Sequence, residues 1–229
     1  MVMKEKAIEF LESLGVDEAV NFLQTTSASL PPEEQLRDFD QVMRHAYWQN
    51  KDLPATIRIG QAGVELGQSL ADAHPDQASE IKSQIKTIQY NLASYTWPGW
   101  DEPGFDISPE QVQLGLAAAQ ENLRLAIELK KDALPLSRAY WMLGGVEIAV
   151  KDYASAKEHF SQAEKFASQA GSHAEALLAR GFEFLTGLLV NPDNEILSKE
   201  LEQTKTALLV EKDGEFFVKQ IDDAWRVFG

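Results

Sequence analysis

Side chains able to move protons, hold metals or act as nucleophiles are few and scattered in this sequence. The histidines, His45, His74, His159 and His173, include no His-Glu-x-x-His spacing, which would set two imidazoles on one helical face. His159 follows Glu158 where Ala156 and Phe160 point inward, so it reads as a surface histidine. The acidic neighbours Asp222-Asp223 and Asp101-Glu102 invite metal or acid-base readings. Adjacent residues of a helix point about 100° apart, however, so Asp222 and Asp223 diverge. No serine lies in a Gly-x-Ser-x-Gly elbow. Cysteine is absent, which removes disulfides, thiolate metal sites and thiol nucleophiles. Gly60, Gly63 and Gly67 lack the Lys-Ser/Thr and preceding strand of a phosphate-binding loop. The sequence therefore predicts no catalytic residue, no metal site and no cofactor.

What remains is a surface chemistry of aromatic rings and acids. Residues 95 to 105 read YTWPGWDEPGF. Trp97, Trp100 and Phe105 are of the types that dominate binding hot spots. The two prolines reduce the entropy lost on ordering the segment, and Asp101 and Glu102 favour a basic partner. The competing reading is that the tryptophans fold back and seal a gap between helices. Trp48 and Trp141 sit within amphipathic stretches and are expected in the core, and Trp225 is expected to help the last helix cover an open apolar end. His45 lies near a small-residue position of its helix, facing either a groove or the core.

The elements that position these residues are helices. Apolar residues recur at helical spacing throughout, and no useful length alternates in the manner of a strand. Gly15 is placed to end a first helix in the left-handed conformation, and Asp17 to open a second. Pro31 and Pro32 precede a helix over about 33–49, and Asp52 with Pro54 opens the next, to about residue 70. After His74-Pro75-Asp76 a helix over about 77–96 runs into the aromatic segment. Ser108, Pro109 and Gln111 form a capping box that starts the following helix. Further helices are expected over about 136–150, from Asp152 to near Gly171, from a Ser172/Glu175 box to about 190, to about 212, and over about 215–227.

The stretch AYWMLGGVEIAVKDYASAKEHFSQAEKFASQAG, residues 139 to 171, resembles a tetratricopeptide repeat (TPR). Tyr140, Leu143 and Gly144 stand where that family has Trp-x-x-Leu-Gly, and Ala156, Phe160 and Ala163 supply its second-helix pattern. Gly181 lies 37 residues after Gly144, and Ala119 lies 37 before Ala156. Glu147 in place of an aromatic and Ser168 near the usual proline depart from the pattern. The resemblance implies an all-α fold, a right-handed superhelix of antiparallel helix pairs of TPR-like α-solenoid form. It divides the chain into a cap over 1–30, repeats over 31–212 with a loop insertion at about 97–108, and a capping helix over 213–229. In some TPR domains Lys, Arg and Asn clamp a peptide carboxylate. The corresponding positions here hold Trp141 and Gly145, or Gln41 and His45, so no such clamp is implied.

Composition narrows the partner. Lys and Arg number 21 against 36 Asp and Glu, a formal charge of -15, which repels nucleic acid and anionic membranes. The N-terminal stretch has no signal-peptide core and no apolar run reaches membrane-span length, so a cytoplasmic protein is expected. The expected function is a non-enzymatic adaptor holding a peptide or protein segment, with a preference for basic partners. Its candidate contacts are Trp97, Trp100, Asp101, Glu102, Phe105, Gln41 and His45. The alternative is a small-ligand sensor or helical enzyme, whose mark would be a deep pocket joining Trp97 or Trp100 to His45.

Overall fold

A computed structural model describes residues 3–26 and 30–229, and all regular structure among them is helical. The helices are α1 (Met3–Ser13), α2 (Val16–Thr26), α3 (Pro32–Trp48), α4 (Leu53–Ala73), α5 (Ala78–Tyr95), α6 (Pro109–Glu128), α7 (Ala133–Ala149), α8 (Tyr153–Gln169), α9 (His173–Val190), α10 (Glu195–Leu208) and α11 (Gly214–Phe228), with a 3-10 turn at Pro98–Trp100. Residues 1–2 and 27–29, within the range expected for the N-terminal cap, lie outside the described residues. The chain divides into two compact units, Met1–Tyr95 and Thr96–Gly229. The division falls at the start of the aromatic segment, inside the range expected to form one repeat array.

In the first unit, helix ends follow local chemistry. Gly15 closes α1 at φ +99°, a conformation that strains any residue with a Cβ. Asp52 caps α4, accepting from the Ala55 N–H at 2.9 Å. Asp17 falls within the first turn of α2 rather than capping it, since the helix starts at Val16. The glycine stripe of α4 sits in the angle between α3 and α5. Added Cβ atoms would press Gly60 on Met43 and Leu92, Gly63 on Phe39 and Ile88, and Gly67 on Leu36 and Ile85. Small residues thus let three helices approach closely around a core of Leu36, Phe39, Met43, Ile85, Ile88 and Leu92. Asn91 donates to buried Asp40 at 2.6 Å, tying α5 to α3.

In the second unit each helix from α6 to α10 packs on the next, and α11 packs on α9 and α10. The capping box forms as expected: the Gln111 N–H donates to Ser108 Oγ at 3.3 Å and the Ser108 N–H to Gln111 Oε1 at 2.8 Å. The repeat-like unit is α7 with α8. Gly144 lies against Phe160 and the Ala156 carbonyl, the close approach that its small size predicts. One pair later Gly181 meets Ile221 of α11, so Ile221 fills the place that an aromatic of the second helix takes in the better-matched unit. Helix α7 is buried on every side from Trp141 to Ile148, as expected of a helix packed between neighbours.

Several expectations are corrected. Trp48 is half exposed at the end of α3, because Tyr47 takes the inward position and the next residue turns about 100° away. It packs edge-on to Tyr47 and Tyr95 beneath the Lys51 ammonium. Trp225 also faces outward; Ile221 and Ala224 seat α11 instead. The Ser172/Glu175 box does not form, because Arg138 takes the Glu175 carboxylate with contacts of 2.6 to 3.1 Å. Glu147 is buried, and His159 is not simply a surface residue: its Nδ1 lies 2.7 Å from Glu147 Oε2.

Candidate functional site

Four side chains of α3, Glu34, Asp38, Gln41 and His45, follow one another at intervals of four, three and four residues and so form one stripe. Pro31 and Pro32 start that helix, and Gln35 donates to the Leu30 carbonyl at 2.8 Å, which fixes the entering chain. Between this stripe and the first turn of α1 lies a cleft of about 410 Å³, lined by Met3, Lys4, Leu30, Glu34, Arg37, Asp38 and Gln41. His45 stands beyond the cleft, its Nε2 3.0 Å from Glu12 Oε1 of α1.

The charges of the cleft make no direct pair among the described residues. Among the described residues, the side chains of Lys4, Glu34, Arg37, Asp38 and Gln41 have no hydrogen bond or ion pair. Arg44, Arg58, Arg124, Arg138, Arg180 and Arg226, in contrast, each hold a carboxylate. The five cleft side chains differ in depth. Glu34 and Arg37 are exposed on the rim, while Asp38 is only 9% exposed. Burial pushes the Asp38 carboxyl above its ordinary value; Lys4 and Arg37 pull it partly back and Glu34 adds to the rise. Asp38 is thus a largely desolvated acid without a direct partner among the described residues, an arrangement that folding alone does not favour.

The aromatic segment has the opposite character. Trp97 is fully buried within the second unit. Its ring meets Trp100 at 4.8 Å and Trp141 at 5.7 Å, both edge-on, and Phe182 and Phe228 lie within 6.3 Å. Gly99 and Gly145 make room for it, since a Cβ on Gly99 would overlap the indole and one on Gly145 would stand 3.4 Å away. Trp97 therefore offers no surface to a partner, and the packing reading of this segment holds at that residue. The indole N–H groups of Trp97 and Trp141 are buried without an acceptor among the described residues.

The remaining loop residues divide between core and surface. Trp100 is half-buried and tilted against Trp141 at 5.9 Å. Asp101 is exposed at φ +47°, but it pairs with Arg226 of α11, which also donates to Asp223 at 2.8 Å. Glu102 and Phe105 are half-buried. Asp222 pairs with Lys205 at 2.8 Å and Asp223 with Lys219 and Arg226, so the two acids diverge as their helical spacing requires.

The structure thus brings Gln41 into a cleft, leaves His45 beside it, and places the loop candidates in the other unit. Sequence reading missed Asp38 and Glu34. Their signal was present, since they step back from Gln41 along the same helical face, but the burial that sets Asp38 apart comes from α1. Among the described residues no cluster of His, Asp and Glu could hold a metal ion, and no helix is long and apolar enough to cross a membrane. In comparison with known proteins, no family model matches the chain and no curated protein matches it significantly.

Proposed function

We propose that this chain is a non-enzymatic, TPR-like helical-repeat adaptor, with helix pairs in a right-handed superhelical array, that holds a peptide or protein segment along the α1–α3 cleft. The observation that carries the reading is the polar stripe of α3, Glu34, Asp38 and Gln41, which has no hydrogen bond or ion pair among the described residues and faces a cleft of about 410 Å³. Polar groups held ready in a concave surface are what a binding site needs to fix orientation and specificity. Packing in the α7–α8 pair supports the repeat assignment, since Gly144, Ala156 and Phe160 meet as the TPR pattern requires. The mark of the small-ligand or enzyme reading is a pocket joining Trp97 or Trp100 to His45, and the full burial of Trp97 counts against the first of these.

The test is selection of peptides from a displayed random library on the full chain, followed by binding to two variants. Peptides should lose affinity for Gln41→Arg, which fills the cleft, and keep it for Phe105→Ala. Failure to enrich any peptide, or binding indifferent to Gln41→Arg, overturns the proposal.

A further inference from the structure

We infer that the α1–α3 cleft is a receptor for one basic side chain of the bound segment, an arginine whose guanidinium sits on Asp38 with its stem between Met3 and Leu30. This inference rests on the adaptor reading and specifies the chemistry of its site.

The cleft carries charges of both signs, so the choice of a cation needs an argument. Arg37 is exposed and solvated, and an unpaired cation in that setting costs nothing. Asp38 is 9% exposed and has no hydrogen bond or ion pair among the described residues; Lys4 and Arg37 act on it only at a distance, so its carboxylate keeps little water and no direct counter-ion. A guest cation removes the larger penalty; a guest anion would meet exposed Arg37 and half-buried Lys4 but would also stand against Asp38 and Glu34. The next residue along the stripe toward the helix start, Glu34, adds a second negative charge one turn away, which the helix itself disfavours. Two acids held against that preference on one face attract a cation and repel an anion.

Arginine fits better than lysine. A planar guanidinium presents several donors at once, and Asp38 with the Gln41 amide oxygen gives it acceptors three residues apart on one helical face. Met3 and Leu30 provide apolar walls for a methylene stem, the usual environment of a buried basic side chain whose head remains hydrogen-bonded. The cleft volume exceeds one side chain, leaving room for flanking backbone near Lys4 and Arg37, whose free donors suit peptide carbonyls.

The experiment uses the full chain labelled with ¹⁵N and ¹³C and three capped pentapeptides, Gly-Ala-X-Ala-Gly, with X arginine, lysine or the neutral isostere citrulline. The arginine peptide should shift the amide resonances of residues 34–41 and lower the titration midpoint of the Asp38 carboxyl carbon, with citrulline binding at least about tenfold more weakly. Asp38→Asn, which keeps the shape, should weaken the arginine peptide by a similar factor and leave helicity unchanged. Equal binding of citrulline and arginine, or full binding by Asp38→Asn, overturns the inference. Should library peptides lose affinity for Gln41→Arg yet stay indifferent to Asp38→Asn, the adaptor reading stands and the arginine receptor falls. Loss of both kinds of binding removes the two together.

Discussion

Replacing Trp97 tests whether the aromatic segment is part of the core. The side chain has no exposed surface and touches Trp100, Trp141, Phe182 and Phe228. An indole buries roughly 150–250 Å², which at about 25 cal/mol per Å² amounts to about 4–6 kcal/mol. The indole N–H has no acceptor among the described residues, so removing it returns about 1–3 kcal/mol, while the cavity left in a packed cluster adds a loss of its own. Trp97→Ala should therefore cost about 4 kcal/mol net. Trp97→Phe keeps a ring in place and discards the unpaired donor, and should cost only about 1 kcal/mol. Urea unfolding in a Trp48→Phe background reads the second unit alone, since Trp48 is the tryptophan of the first unit and stands on its surface. A loss below about 1 kcal/mol for Trp97→Ala at unchanged m would refute the reasoning, because a fully buried indole cannot be removed at so little cost. A consequence for binding work is that Trp97→Ala measures folding, so loop contacts are better probed at Phe105 or Glu102.

Asp38→Asn should stabilise the chain at pH 7 by about 1 kcal/mol, as substitutions at sites kept for function often do. The sign follows from the raised carboxyl: the native state holds the proton more tightly than the unfolded chain, so stability falls as pH rises from the ordinary value of 3.8 through the native one. Denaturant midpoints of the two proteins should converge at acid pH and separate above it; a constant gap would show that Asp38 ionisation is not the cause. His159→Ala should destabilise by about 2 kcal/mol, since it strands the buried Glu147 carboxylate, while Glu147→Leu should be nearly neutral. Thermal melts of both variants check the order, and a larger loss for Glu147→Leu would contradict it. Arg226→Ala removes the partner of exposed Asp101 and one of the two cations on buried Asp223, so it should lower the melting temperature by an amount that shrinks in salt. A melting shift unaffected by salt would point to packing by the arginine stem instead.

Where the chain's own neighbours decide an outcome, the sequence was readable. The Ser108–Gln111 box, the left-handed Gly15 and the Asp52 cap each depend on residues within one turn, and all three are present. The glycine stripe of α4 was also readable as a docking face, although which helices would fill it was not. Expectations failed where a distant side chain intervened. Ser172 and Glu175 have the spacing of a capping box, but Arg138, 37 residues earlier, offers the Glu175 carboxylate a two-pronged partner. Tyr47 and Trp48 are neighbours of similar character, and only the packing around α3 chooses which one faces inward. The cleft is a case of the same kind: the spacing of Glu34, Asp38 and Gln41 is local, whereas the burial of Asp38 belongs to the tertiary fold.

The two surfaces weighed for binding separate on whether their chemistry is already consumed inside the protein. In the aromatic segment Trp97 fills the core and Asp101 faces Arg226, so the groups that suggested a partner have found one within the second unit. Among the described residues the charges of the cleft, Glu34, Arg37 and Asp38 of α3 with Lys4 of α1, have not. The chain carries 36 acids against 21 bases, so a basic side chain has carboxylates in excess around it, and every other arginine has captured one. That Arg37 has none among the described residues, one residue from a buried carboxylate that has no direct partner among them either, is the opposite of what relaxation toward internal pairing would leave. A carboxylate desolvated without a partner lowers stability, and such a cost persists where a ligand compensates it. The acid excess then has a second effect: it draws cationic segments toward the chain over a Debye length and leaves their selection to Asp38, mostly buried and without a direct partner among the described residues.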